Sequence, residues 1–137
     1  MLIHLPRCEI GRELGQGAHS VVYRATLDGT PCALKVLRKK GSFARWVYRE
    51  AVALARVSDP ALPRVIEVGE ADGRPYLAME LIEGETLAAR LTAGLLAEPT
   101  ALSIADCLLR ALASVHAAGL VHRDVKPRNV VLERTGA

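Results

Sequence analysis

The sequence has few aromatic residues and few cysteines. Phe, Trp and Tyr make up only 4% of the 137 residues, so a hydrophobic core must be built mainly from Ala, Val and Leu. The three cysteines are odd in number and show no CxxC spacing, and the four histidines form no metal-ligand pattern. These shortages argue against a disulfide-stapled secreted domain or a zinc module and favour reduced thiols in a cytoplasmic protein.

The sequence also lacks targeting signals, long apolar runs and clustered arginines. The N-terminus MLIHLPRCEI has too short an apolar run for a signal peptide. No uninterrupted apolar run approaches the roughly 20 residues that span a bilayer. The formal charge is +3 and the arginines are scattered, whereas nucleic-acid binding requires a basic patch or stripe. We therefore expect neither a membrane segment nor a nucleic-acid partner.

The N-terminal half of the chain has the sequence pattern of short β-strands around one helix. Asp-Gly pairs at 28–29 and 72–73 each separate two apolar segments, which predicts two β-hairpins. Between the hairpins, residues 42–57 repeat apolar side chains at helical period. Ser42 is a candidate N-cap of this helix.

After Gly84 the composition changes to Ala- and Leu-rich segments with helical periodicity. Residues 85–98 and 100–119 each predict a helix, the second ending at Gly119 as a C-cap. A sheet-rich half followed by a helical half predicts an α+β chain of two lobes joined near residues 82–84.

A glycine-containing segment, LGQGAHSVVY, joins the first two predicted strands. Gly15 and Gly17 are followed by Ser20 where a G-x-G-x-x-G pattern has its third glycine, and a plain turn explains such a pattern about as well. A dinucleotide-binding loop opens a helix, but here Val21 and Val22 continue into a strand. The segment therefore favours a flexible hairpin whose small residues let backbone amides approach phosphates.

A lysine and a glutamate are predicted to pair in this half of the chain. Lys35 interrupts the apolar strand CALKVL, and a single lysine there would usually snorkel to an exposed edge. Glu50, however, lies on the same helix face as the apolar residues Val47, Ala51 and Leu54. Burying an isolated carboxylate costs a prohibitive amount of free energy. We therefore expect the charged atoms of Lys35 and Glu50 to lie within about 4 Å of each other.

The segment LVHRDVKPRNVVL, residues 120–132, concentrates polar chemistry between apolar runs. Arg123 and Lys126 flank Asp124, and Asn129 follows five residues after the aspartate. Ionisable groups packed this closely between apolar residues cost solvation energy, which indicates a functional loop.

Together these segments resemble serine/threonine protein kinases, in particular the bacterial branch that shares the eukaryotic kinase fold. GQGAHSVVY is similar to the glycine-rich loop, CALK to the strand lysine motif, Glu50 to the acid of the next helix, and HRDVKPRN to the catalytic loop. YLAMELIEGETL resembles the segment that links the lobes. The resemblance implies a kinase fold with an antiparallel-sheet N lobe over residues 1–82 and the beginning of a helical C lobe over residues 83–137.

The resemblance also implies roles for individual residues, with ATP, Mg²⁺ and a protein Ser/Thr hydroxyl as the reacting partners. Asp124 would accept or orient the hydroxyl proton, Lys126 would neutralise charge on the transferred phosphoryl, and Asn129 would bind the metal. The implied nucleotide-binding residues are Gly15, Gly17, Val22, Ala33, Lys35, Glu50, Met79, Glu80, Ile82 and Val131.

The sequence departs from the family pattern at its end. The family carries a D-F-G motif roughly a dozen residues after the catalytic-loop asparagine, and this sequence stops at Ala137 before reaching it. We therefore expect an incomplete catalytic domain whose helix at 100–118 is covered on one side only and favours self-association. Two alternatives stay open: a nucleotide-binding or interaction module without phosphotransfer, and a kinase-fold phosphotransferase acting on small molecules. Arg123 directly before Asp124 fits the protein-kinase loop better than the small-molecule enzymes.

Overall fold

A computed structural model describes residues 3–38 and 42–134, without the side chains of residues 42–44, 47 and 50. The chain divides into two compact units. The first comprises residues 1–56 and 63–81, and the second comprises residues 57–62 and 82–137. Residues 57–62 therefore lie with the second unit, although both neighbours in the sequence belong to the first.

Among the described residues, the first unit forms a five-stranded antiparallel sheet and one helix. The strands are β1 (Cys8–Gln16), β2 (Ser20–Leu27), β3 (Thr30–Leu37), β4 (Val65–Ala71) and β5 (Arg74–Glu80), in the order β1-β2-β3-β5-β4, and the helix is α1 (Ser42–Leu54). The helix begins at the predicted position and ends one turn before the predicted residue 57. The helix contacts β4 and β5.

Both predicted Asp-Gly hairpins are confirmed. Asp28 and Gly29 have φ angles of 47° and 81°, and Asp72 and Gly73 have φ angles of 52° and 71°. Positive φ at both central residues is the type I′ geometry, whose twist matches that of the flanking strands. The turns fix the register of β2 against β3 and of β4 against β5.

The core of the first unit is aliphatic with two tyrosines. Its buried members are Ile3, Val21, Tyr23, Ala25, Leu27, Cys32, Leu34, Val36, Tyr76 and Ala78. Burial raises the pKa of the Cys32 thiol, and burial together with the nearby Cys32 raises the pKa of Cys8. Both thiols therefore stay protonated at neutral pH, which makes them poor nucleophiles.

In its described part, residues 57–62 and 82–134, the second unit contains two α-helices and a small sheet. Its elements are β6 (Gly84–Thr86), α2 (Leu87–Thr92), α3 (Glu98–Ala117), a 3₁₀ turn (Pro127–Asn129) and β7 (Val131–Glu133), and β6 pairs antiparallel with β7. The prediction of one helix over 85–98 is wrong. Thr86 ends the strand and caps α2, its hydroxyl accepting the Ala89 N–H at 3.0 Å. The helix ends within six residues, and Gly94 follows with φ 123°.

Helix α3 extends over the predicted segment. It begins two residues earlier than expected, with a proline in its first turn, and Gly119 lies just beyond its end with φ 77°. The Ser114 hydroxyl donates to Asp59 Oδ2 at 2.9 Å, which attaches residues 57–62 to this helix.

By length and composition, α3 is also the one helix in the described part of the chain that could cross a bilayer. Only 11% of the apolar segment of α3 that could span the bilayer is buried. Core helices of soluble proteins share this length and composition. The absence of a membrane segment therefore stays a prediction.

Candidate functional site

The polar loop after α3 is fixed by local backbone geometry. The Leu120 N–H donates to Val115 O at 3.2 Å and thereby leads the chain out of α3. Arg123 then adopts φ 70°, a left-handed conformation that is uncommon for a side chain of this size. His122 closes this turn, because its Nδ1 accepts the Asp124 N–H at 3.2 Å. The strained turn at Arg123 presents Asp124 immediately after it.

Asp124, Lys126 and Asn129 form one hydrogen-bonded cluster. The Asp124 Oδ1 lies 3.2 Å from Lys126 Nζ. Asn129 Nδ2 donates to Asp124 Oδ2 at 2.9 Å and to the Asp124 carbonyl at 2.8 Å. The hydrogen bonds from Lys126 and then Asn129 lower the pKa of the Asp124 carboxyl below its usual value. Asp124 is therefore an exposed, ionised carboxylate whose orientation is set by two neighbours.

The exit of this loop is anchored by the small sheet. Thr86 pairs with Val131 in the β6–β7 register, and the Leu87 N–H donates to Val130 O at 2.7 Å. Gly84 lies so close to the Leu132 carbonyl that no Cβ would fit there. The glycine is thus needed for strand pairing, and the pairing fixes the loop end next to Asn129.

The geometry of Asn129 suits a hard metal ion. Because both hydrogen bonds from Asn129 to Asp124 use Nδ2, its carboxamide oxygen is directed away from Asp124. Oxygen ligands are what Mg²⁺ prefers, usually with substrate phosphates completing the shell. In the described part of the chain, no group of three His, Cys, Asp or Glu side chains could hold a metal.

The glycine segment forms the β1–β2 turn of the first unit. The Gly17 N–H donates to Ser20 O at 2.8 Å, so this amide is used within the protein. Neither Gly15 nor Gly17 has positive φ. A Cβ built at Gly15 meets no described atom within 4 Å, and one at Gly17 meets Ser20 Oγ at an ordinary 3.7 Å. The fold of the described residues therefore does not require glycine at either position.

Several predicted nucleotide-binding residues are neighbours in the sheet of the first unit. Val22 on β2 pairs with Lys35 on β3, and Ala33 on β3 pairs with Met79 on β5. Ala33 is 8% exposed, whereas Val22, Lys35 and Met79 are half-buried. The register therefore brings two pairs of these residues together.

The predicted pairing of Lys35 with Glu50 stays a prediction. The backbone of Glu50 lies in α1, but its side chain is outside the described residues. Lys35 is half-buried in β3, opposite Leu77 on β5 as well as Val22.

The remaining predicted residues lie at and beyond the end of β5. The Glu80 N–H donates to Arg64 O at 2.8 Å, and its carboxylate accepts the Arg64 N–H at 3.1 Å. The amide of Glu80 is thus already used within the protein. Ile82 is the first residue of this segment in the second unit, and Val131, in β7, is 41% exposed.

Comparison with known proteins agrees with the motifs. Residues 8–137 match the protein kinase domain family. CBL-interacting protein kinase 19 of rice, Oryza sativa subsp. japonica, is 37% identical over 96% of this chain and 27% of its own length. The serine/threonine-protein kinase pkn2 of Myxococcus xanthus is 35% identical over 94% of this chain and 16% of its own length.

The solved kinase domain of Mycobacterium tuberculosis PknI gives the same result in three dimensions. It superposes with a TM-score of 0.81 at 31% identity, covering 96% of this chain and 57% of that domain. The chain thus spans little more than half of this solved kinase domain and about a quarter or less of the curated relatives named above. Because the family match covers nearly the whole sequence, the chain belongs to the protein kinase domain family.

Proposed function

We propose that this chain is part of a cytoplasmic protein serine/threonine kinase, which transfers the γ-phosphoryl group of ATP to a Ser or Thr hydroxyl. Residues 1–82 form its N lobe and residues 83–137 the start of its C lobe. The observation that carries the proposal is the Asp124 carboxylate held between Lys126 and Asn129. Family membership supports the kinase class but does not by itself identify the acceptor.

The proposed chemistry assigns the hydroxyl proton to Asp124. The substrate oxygen forms a bond to the γ-phosphorus while the bond from that phosphorus to the β-bridging oxygen breaks. ADP leaves, and Asp124 orients the hydroxyl and takes its proton. The lowered pKa of Asp124 keeps the carboxylate ionised for this role. Lys126 places a positive charge beside the same carboxylate, where it offsets negative charge on the phosphoryl group.

The proposed nucleotide contacts come from both glycines and the sheet. Since the described structure needs no glycine at 15 or 17, we assign their small size to close approach of ATP phosphates. Lys35 and Glu50 position the phosphates as an ion pair. The adenine is bound by Val22, Ala33, Met79 and Val131 and by backbone groups of Glu80 and Ile82. Asn129 would hold Mg²⁺, which when bound supplies positive charge to the ATP phosphates.

The decisive experiment compares two aspartate variants in the protein at its full natural length. Transfer from γ-labelled ATP to a Ser/Thr-containing protein mixture is measured, and the labelled amino acid is identified. Asp124→Asn should lower kcat severely, by roughly a hundredfold or more, and leave ATP affinity nearly unchanged. Asp106→Asn is the matched control, because Asp106 is also exposed and paired with a cation, Arg110, at 2.9 Å.

The other outcomes separate the alternatives. ATP binding without transfer to any acceptor would indicate a nucleotide-binding module. Labelling of small-molecule hydroxyls but not of protein would indicate a small-molecule phosphotransferase. Near-normal turnover by Asp124→Asn would refute the role of the loop.

A further inference from the structure

Arg38, at the end of β3, makes two side-chain contacts with the glycine segment. Its Nη2 donates to Gln16 Oε1 at 2.7 Å, and its Nε approaches the Gly17 carbonyl oxygen at 3.4 Å. Gln16 and Gly17 lie 22 and 21 residues earlier in the sequence. The contact therefore joins the tip of one hairpin to the end of the next strand.

The backbone of Arg38 is itself held in place. Its N–H donates to His19 O at 2.8 Å, and its carbonyl accepts a hydrogen bond from Arg74 Nη1. Arg38 is half-buried. A guanidinium is planar and donates in fixed directions, so an arginine anchored on both sides can define the position of a flexible turn.

This contact has a consequence for the peptide group between Gly17 and Ala18. In a trans peptide the C=O and N–H point in opposite directions. Because the Gly17 carbonyl faces Arg38, the Ala18 N–H points away from it. The Gly17 N–H is already bonded to Ser20 O, so the Ala18 amide is the donor that this arrangement turns outward.

We propose that Arg38 is a positioning residue for the glycine segment, which orients the Gly17–Ala18 peptide so that the Ala18 N–H can donate to an ATP phosphate oxygen. The choice of ligand rests on the proposed kinase function; the restraint of the turn does not. Arg38 acts through the backbone and is not a catalytic residue.

The first measurement is amide hydrogen exchange over residues 14–20 in the nucleotide-free protein, which needs no enzymatic activity. Arg38→Ala should increase exchange in this segment, and Gln16→Ala should increase it less, because it removes one of the two contacts. Arg12→Ala, which removes an exposed arginine from β1, is the matched control and should leave exchange unchanged. Arg38→Lys should fall between wild type and Arg38→Ala, because an ammonium keeps the charge without the planar fork.

The second measurement compares the affinities for ATP and for adenosine, which lacks phosphates. Arg38→Ala should weaken ATP binding roughly fivefold, as expected for the loss of about one hydrogen bond, and leave adenosine binding unchanged. Equal losses for both ligands would mean that Arg38 only supports the fold, and would overturn the proposal. Unchanged exchange in Arg38→Ala would overturn it independently. A wild-type protein that binds neither ligand would refute the proposed function, while the exchange data would still decide whether Arg38 restrains the turn.

Discussion

Alanine at Gly69 should destabilise the first unit, whereas alanine at Gly15 should preserve stability and weaken nucleotide binding. A Cβ at Gly69 would lie 2.5 Å from Tyr76 Oη, 2.7 Å from Cζ and 2.9 Å from Cε1. Tyr76 cannot move away freely, because it is 6% exposed and its hydroxyl donates to Glu67 Oε1 at 2.5 Å. Arg7 Nη2 in turn lies 2.8 Å from Glu67 Oε1. A displacement of Tyr76 would therefore disturb both the tyrosine–glutamate hydrogen bond and this ion pair.

The expected changes in unfolding free energy differ in sign as well as size between the two substitutions. Overpacking a core costs about 1–3 kcal/mol, and a strained hydrogen bond adds about 1 kcal/mol. Gly69→Ala should thus lose about 2–4 kcal/mol of unfolding free energy. At Gly15 the φ angle is not positive and a Cβ meets no described atom within 4 Å. Alanine there should be neutral or stabilise by about 0.4–1 kcal/mol, because it restricts the unfolded chain.

Urea unfolding at neutral pH measures both stabilities, and binding of a fluorescent ATP analogue measures the function. We expect Gly15→Ala to keep its unfolding midpoint and bind ATP more weakly, and Gly69→Ala to show a lower midpoint. If Gly15→Ala lost as much stability as Gly69→Ala, the glycine would serve the fold. If Gly15→Ala bound ATP as wild type does, the assignment of this glycine to the nucleotide would be refuted.

Two further predictions concern ionisation. Lys126→Met should raise the pKa of Asp124 towards its usual value, because Lys126 is the largest cause of its lowering; carboxyl ¹³C NMR of Asp-labelled protein measures this, and an unmoved pKa would contradict it. Burial, followed by the bond to Glu67, raises the pKa of Tyr76 from 10.0 to about 12. A raised pKa contributes stability that is complete below pH 10 and is lost as pH rises to about 12. Tyr76→Phe should abolish this part of the pH dependence of unfolding, and an unchanged pH profile would refute the assignment.

Local signals explain which parts of the fold could be predicted from the sequence. The Asp28-Gly29 turn between two apolar segments encodes one hairpin within a few residues, and the turn geometry agrees. Asp124, Lys126 and Asn129 were identifiable for the same reason, since they lie within six residues and their contacts are local.

Long-range pairing explains what the sequence did not reveal. The β6–β7 sheet pairs Gly84–Thr86 with Val131–Glu133. Neither of these three-residue segments has a strand pattern by itself. Ala- and Leu-rich composition therefore suggested one helix where the structure has a strand and a short helix. Arg38 was missed because its partner Gln16 is distant in sequence, and the basic run that Arg38 begins after the strand gives no local signal of this contact.

The last prediction concerns the exposed face of α3 in the 137-residue chain. Ala111 and Val115 on one side of the helix are buried, whereas Leu102 and Leu109, two turns apart on the other side, are 62% and 66% exposed. Burying such a leucine contributes on the order of 2 kcal/mol, so two copies gain by covering these faces. We expect concentration-dependent association in light scattering.

A double variant, Leu102→Gln with Leu109→Gln, should reduce this association because it removes both apolar contacts from the exposed face. A matched double change of Asp106 and Arg110 to Gln, which alters the same helix at an exposed ion pair, should leave association unchanged. Because α3 also has the length and composition of a membrane span, the same proteins should be mixed with neutral lipid vesicles. A monodisperse wild-type chain would refute the prediction, and leucine-dependent vesicle binding without self-association would assign the exposed face to lipid instead.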